Sequence, residues 1–158
     1  MALEIERRFL IKNDNWKEFV TKKIFIEQGY LSKSLDDWII RIRFTGKDFK
    51  IALKKHIASF TNFEFEYSIP RSDGEKILSN LTNTIKKERF FLEVEKKSWI
   101  IDCFKEKNYP LEIAEIELSR EDEDLSLPSF ISKEITGLTQ YSNFSLTKKP
   151  FSKWNIDF

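Results

Sequence analysis

Five segments of the chain place two charges of one sign two residues apart: Glu4/Glu6, Arg41/Arg43, Glu64/Glu66, Lys87/Arg89 and Glu115/Glu117. Period two is the repeat of a β-strand, so each pair lies on one face of its strand. The other face is mostly apolar. Ile40, Ile42 and Phe44 oppose Arg41 and Arg43; Phe49, Ile51 and Leu53 oppose Lys50 and Lys54. Phe63, Phe65 and Tyr67 oppose Glu64 and Glu66, and Ala114, Ile116 and Leu118 oppose Glu115 and Glu117. A solvated outer face accounts for any one such pair. It accounts poorly for five, because a solvated sheet gains from mixed signs, whereas like charges on one face repel unless an opposite charge lies between them. If the sheet closes on itself, these faces line a bore, where charges are partly desolvated and costly unless paired or metal-bound. A ligand is one source of the opposite charge.

Adding the alternating stretches at Glu27–Ser32 and Trp99–Phe104 gives about eight strands of the length usual in antiparallel sheets. Helices are few and peripheral. Trp16, Phe19 and Val20 fall at helical spacing within Asp14 to Lys23. Ser72-Asp73-Gly74-Glu75 reads as a capping box ahead of Ile77, Leu78 and Leu81, predicting a helix over about 73–83. A third helix is expected after Pro128, ending near Gly137, and a short last one from Tyr141 to Lys149. The pattern is mainly β within an α+β class. With 158 residues and no low-complexity linker, residues 1–158 are expected to form one domain.

Charge balance narrows the function. The 27 Lys+Arg nearly cancel the 26 Asp+Glu, and a net charge of +1 gives no long-range attraction for nucleic acid or an anionic membrane. No apolar run approaches the roughly 18 residues of a membrane span and no signal peptide precedes the first strand, so a cytoplasmic location is expected. Cys103, the only cysteine, excludes an internal disulfide and is read as a small buried hydrophobe. His56, at a strand edge, is read as structural, and the four tryptophans as packing residues. What remains is local chemistry. Glutamates are hard oxygen ligands suited to Mg²⁺ or Mn²⁺, while arginine and lysine neutralise phosphate oxygens. A triphosphate carries about four negative charges near neutral pH, which several cations and one or two divalent ions would match.

The ordered set of motifs resembles the CYTH superfamily, the triphosphate tunnel metalloenzymes. Glu4-Ile5-Glu6-Arg7-Arg8 is similar to its N-terminal Glu-x-Glu-x-Lys signature, and Gln28-Gly29-Tyr30-Leu31 to the motif that follows. Arg41-Ile42-Arg43, the basic strand ending at Lys54, Glu64-Phe65-Glu66, Lys87-Glu88-Arg89 and Glu115-Ile116-Glu117 come in the family's order. Glu134-Ile135-Thr136-Gly137 and Tyr141-Ser142-Asn143 close it. The resemblance implies an eight-stranded closed antiparallel β-barrel that binds a triphosphate with Mg²⁺ or Mn²⁺ along its axis. It implies Glu4, Glu6, Glu115 and Glu117 as metal ligands, and Glu64 and Glu66 as carboxylates for metal or water. Arg41, Arg43, Lys54, Lys87 and Arg89 are implied as phosphate ligands, and Asp102 either as part of the phosphate site or as a partner behind it. Arg8 stands where the signature has lysine. A guanidinium stays protonated at any working pH, so Arg8 is expected to brace phosphate or a glutamate, with Tyr30 sharing the contact, and not to act as a base. The expected activity is metal-dependent hydrolysis of inorganic tripolyphosphate to diphosphate and phosphate. Thiamine or nucleoside triphosphate hydrolysis, cyclisation of ATP by a class IV-type adenylate cyclase, and non-catalytic polyphosphate binding are the alternatives. A small triphosphate is the expected partner, taken up by a monomer or a homodimer.

Overall fold

The alternating segments fold as strands that run longer than the charged pairs themselves. In the computed structural model, which describes residues 2–34 and 36–155, nine strands occur among the described residues. They are β1 (Leu3–Ile11), β2 (Val20–Tyr30), β3 (Ile39–Phe44), β4 (Phe49–Ala58), β5 (Thr61–Ile69), β6 (Thr84–Val94), β7 (Lys97–Phe104), β8 (Glu112–Glu117) and β9 (Ile131–Glu134). Two short helices, α1 (Arg71–Ser79) and α2 (Asn143–Lys148), lie outside the sheet. Neighbours run in the order β5-β4-β3-β2-β6-β7-β8-β1, and β1 then pairs with β5, so eight strands form a closed antiparallel barrel with no free edge in the ring.

Strand β1 makes the closure by dividing one edge between two partners. Its first residues pair with β5, Leu3 opposite Phe63 and Ile5 opposite Thr61. Its last pair with β9, Phe9 opposite Glu134 and Ile11 opposite Ile131, while Arg7 grips Glu134 through two bonds of 2.9 and 2.7 Å. Closure aims one face of every strand inward, and register decides which charges become neighbours.

Outward faces carry most of the core. Phe9, Leu92, Trp99, Ile101, Ala114 and Ile116 pack beneath Trp16 and Phe130. On the other side Ile42 and Phe49 pack against Leu78 of α1. Gly74 of α1 lies so close to the Phe49 ring that any side chain there would collide with it. Each fully buried large side chain contributes about 1.5–3 kcal/mol, so these layers hold the barrel while its interior stays polar. At one end the interior too is apolar. Leu10, Ile85, Phe104 and Ile113 continue the inward faces of β1, β6, β7 and β8, and with Leu146 of α2 and Ile135 they fill that end of the bore.

Three helix expectations need correction. Only Asn15–Phe19 of the segment from Asp14 to Lys23 is helical, as a 3-10 turn; Val20 onward is strand. Long-range pairing wins there, because residues from Val20 to Gly29 form a ladder with β6. The segment after Pro128 is strand β9 rather than helix, since β1 offers it an unpaired edge. Helix α1 begins at Arg71 behind Pro70, with no side-chain cap, and ends before Leu81; the Ser72–Glu75 capping box is therefore inside the helix and does not start it. The last helix is found within the expected span, capped by Ser142 Oγ accepting from the Ser145 N–H.

Candidate functional site

The inward faces enclose a cavity of about 900 Å³. Glu4, Glu6, Arg8, Tyr30, Arg41, Arg43, Lys54, Glu64, Glu66, Lys87, Arg89, Glu115 and Glu117, all of the expected metal, water and phosphate residues, line it together. His56 lies elsewhere, its ring Nδ1 beside the Asn62 amide oxygen at 3.3 Å. Cys103 is half-buried with its thiol donating to Glu112 at 3.2 Å, and burial followed by Glu112 pushes its ionisation well up. It is an inert thiol.

The bore has two walls of opposite character. On the first, β1, β5 and β8 bring the glutamates together. Register places Glu6 opposite Glu117 and Arg8 opposite Glu115. Lys54 reaches from β4 to Glu4 at 3.0 Å and Glu64 at 3.5 Å, and Arg41 reaches Glu66 at 3.1 Å and Glu64 at 3.9 Å. Arg8 donates through Nε to Glu115 at 3.1 Å. Like-signed pairs along a strand are thus partly relieved by opposite charge across strands, a source that period-two reading does not include.

That relief is incomplete. Burial, then Glu6 and a hydrogen bond shared with Glu64, pushes the Glu4 carboxyl up to about 10, so it carries a proton at neutral pH. Burial works against Glu64 as well, but the bond from Glu4, with Lys54, Arg41 and Arg43, outweighs it and holds that carboxylate down to about 2. Glu117 is raised by burial and by the charges of Glu6 and Glu64. Among the described residues no three carboxylates converge closely enough to ligate one ion as they stand. The wall is nonetheless a crowd of hard oxygen donors that keeps a proton for want of positive charge. A divalent cation replaces such a proton, and metal binding to carboxylates releases protons.

On the second wall, β3, β6 and β7 gather cations around one carboxylate. Asp102 is fully buried and stands behind Lys87 and Arg89. It accepts from Lys87 Nζ at 2.7 Å and from Arg89 through two bonds of 2.8 and 2.9 Å. Burial opposes the Asp102 charge, but Arg89 and Lys87 overcome it and hold the carboxylate ionised far below its ordinary range. Burial, together with Arg89 and Arg43, pulls Lys87 below the usual lysine range despite Asp102. Arg43 is pushed down to about 9 by burial, then by Arg41 and Arg89. A surplus of cation therefore faces the cavity. Two buried donors of the bore, Arg8 Nη2 and Arg41 Nε, have no acceptor at all. A buried donor left unsatisfied costs about 1–3 kcal/mol, which an anion in the bore would recover.

Two residues of this wall carry no charge and gave no signal in the alternation. Gln28 is fully buried, and its amide oxygen accepts from Arg43 Nε at 2.8 Å. Its amide nitrogen donates to the Tyr30 hydroxyl at 2.8 Å and to Asn143 Oδ1 at 3.2 Å. Asn143, the first residue of α2, also accepts from Lys87 Nζ at 2.8 Å. Both stand in motifs of the family resemblance, which was the only pointer to them in the sequence.

No protein-family model matches the chain. A curated relative, the inorganic triphosphatase of Acetivibrio thermocellus, is 31% identical over 156 residues, spanning 98% of this chain and 99% of that protein. The solved structure of the inorganic triphosphatase NE1496 matches with a TM-score of 0.68 and 25% identity, covering 93% of this chain and 95% of that one. A protein from Hippeastrum, described with a dominant triphosphatase activity, shares the fold at a TM-score of 0.57 and 14% identity, over 76% of this chain and 80% of that one. Identity at this level over nearly the whole of both chains, on the same closed barrel, means that the chain belongs to the CYTH superfamily of triphosphate tunnel metalloenzymes.

Proposed function

We propose that the bore hydrolyses inorganic tripolyphosphate to diphosphate and phosphate with the help of a divalent cation, Mg²⁺ or Mn²⁺. The observation that carries this reading is the segregation of charge in one cavity, glutamates crowded on one wall and, on the other, cations that outnumber their one buried carboxylate. A polyphosphate with its metal matches both walls at once. The near full-length likeness to an inorganic triphosphatase supports the same activity.

In this reading Glu4, Glu6 and Glu117 hold the metal, and Glu115 does so in competition with its bond to Arg8. Glu64 and Glu66 position water near the metal wall. Arg41, Arg43, Lys54, Lys87 and Arg89 bind phosphate oxygens and stabilise charge building on the departing diphosphate. Arg8 braces a phosphate oxygen through its unpartnered Nη2, and Tyr30, whose hydroxyl accepts from Gln28, lines the same cavity. The metal, when bound, supplies Lewis-acid polarisation and an activated water. Every contact named is to phosphate or metal and none to a base or ring, so tripolyphosphate is preferred to ATP.

The test is phosphate release from tripolyphosphate and from ATP with Mg²⁺ and Mn²⁺ in parallel. Higher kcat/KM for tripolyphosphate is expected. Equal efficiency with ATP, or accumulation of cyclic AMP, would overturn the choice of substrate, and no turnover with either metal would leave a polyphosphate-binding module.

A further inference from the structure

The polar residues of the cationic wall that carry no charge hold the charged ones. Asn143 Oδ1 takes two donors, Lys87 Nζ and Gln28 Nε2. Because the Gln28 amide nitrogen is committed to Asn143 and to the Tyr30 hydroxyl, its oxygen has to face Arg43 Nε. Turning that amide over would set its nitrogen against a guanidinium, donor against donor. The order of contacts is therefore fixed from α2 inward, Asn143 to Gln28 to Arg43, with Lys87 on the same carbonyl oxygen.

The choice of acceptor matters as much as its position. A carboxylate would hold a buried cation with a bond roughly twice as strong as a neutral one, as the single Asp102 does for Lys87 and Arg89 together. A second carboxylate would also cancel the surplus positive charge that this sharing leaves. An amide oxygen fixes the cation and leaves its charge for whatever enters the bore, at the cost of keeping it under-neutralised, a state in which burial already holds Arg43 and Lys87 low. We infer that Gln28 and Asn143 are positioning residues, uncharged acceptors that aim Arg43 and Lys87 at the polyphosphate without adding a second carboxylate to the one, Asp102, that Lys87 and Arg89 share. The inference rests on the proposed polyphosphate site and gives a task to two motifs that the glutamates and cations leave unexplained.

Asn143→Asp separates holding from neutralising, since a carboxylate of the same size can accept both bonds and changes only the charge. Asn143→Leu removes the acceptor altogether. Three quantities are measured for each: melting temperature, Kd for diphosphate by calorimetry, and KM and kcat for tripolyphosphate with Mg²⁺. Asn143→Asp is expected to melt no lower than wild type, to bind diphosphate roughly 10- to 100-fold more weakly and to raise KM by a similar factor, with kcat changed only a few-fold. Asn143→Leu is expected to lose both melting temperature and affinity, and Gln28→Glu to follow Asn143→Asp. A purely structural Asn143 gives another pattern, with Asn143→Asp binding diphosphate as tightly as wild type, and that result overturns the inference. So does an Asn143→Asp protein that melts well below wild type, because an acceptor there is meant to suffice for the fold. Wild type that binds diphosphate but releases no phosphate from tripolyphosphate sinks the proposed hydrolysis alone, and the ratio of Kd values still decides the role of Asn143. Wild type that binds no diphosphate overturns both.

Discussion

The two walls of the bore manage excess charge in different ways. The carboxylate wall borrows cations from neighbouring strands, Lys54 for Glu4 and Glu64, Arg41 for Glu64 and Glu66, Arg8 for Glu115, and keeps a proton where borrowing falls short. The cation wall has a fully buried carboxylate, Asp102, and otherwise amides. A proton or a borrowed cation can be given up when a metal ion arrives. Asp102 cannot be given up, since it is enclosed with two cations whose ion pairs, among the described residues, are both made to it. The first wall is therefore built to exchange its counter-charge and the second to keep it, and four experiments press on that difference.

The largest effect is expected at Asp102. Asp102→Ala leaves Lys87 and Arg89 buried against each other, and unfolding free energy should fall by about 3–5 kcal/mol in urea denaturation. A loss below about 1 kcal/mol, the scale of an exposed pair, would mean that the cation wall does not depend on its carboxylate. On the other wall Glu117→Gln should leave the melting temperature unchanged or higher, because it removes charge from a crowded site, yet cost on the order of 100-fold in metal-supported turnover, about 2.7 kcal/mol. Near wild-type rates at limiting metal would remove Glu117 from the metal site. Arg8→Ala should follow with roughly a 10-fold loss of kcat/KM, while Arg8→Lys, which keeps the charge, should stay within a few-fold and leave the pH–rate profile to other groups. Wild-type rates for Arg8→Ala would show that Glu115 needs no cation to stay in place.

The last effect is a pH dependence without metal. Glu4 ionises near its ordinary value in the unfolded chain but at about 10 in the folded one. The unfolded state therefore releases this proton first. Stability is full below the unfolded value of 4.5 and declines as pH rises toward the folded value. Scanning calorimetry of metal-free protein from pH 5 to 9 should show a melting temperature that falls toward the alkaline end, a fall absent in Glu4→Gln. A wild-type curve no steeper than that of Glu4→Gln would mean that Glu4 and Glu64 share no proton.

Sequence patterning exposed one wall more fully than the other. Glutamates and cations repeat at i, i+2 on alternating strands, and alternation is what closure preserves, so the barrel and its charged lining follow from it. Gln28 and Asn143 repeat nothing; they meet across 115 residues and are joined only by geometry. The like-charge reasoning overstated the need for a ligand at Glu64 and Glu66, because cross-strand register, which brings Lys54 and Arg41 to them, is invisible in a single strand. Local pattern misread Val20–Lys23 and Ile131–Glu134 as helix for the same reason, since each is held as strand by a distant partner. Asp102, a lone acid beside Cys103, carried no pattern that showed it would anchor two cations.

The apolar filling at one end of the bore, where Leu10, Ile85, Phe104 and Ile113 meet Leu146, sets how a linear molecule can use the site. A passage open at both ends lets a polymer thread through and be cut anywhere along its length. With one end stopped, a phosphate chain can be presented only by its terminus, and residues beyond the depth of the cavity stay outside in water. Under the proposed hydrolysis, cutting would then proceed from chain ends, and both fragments would leave through the end of the bore that stays polar.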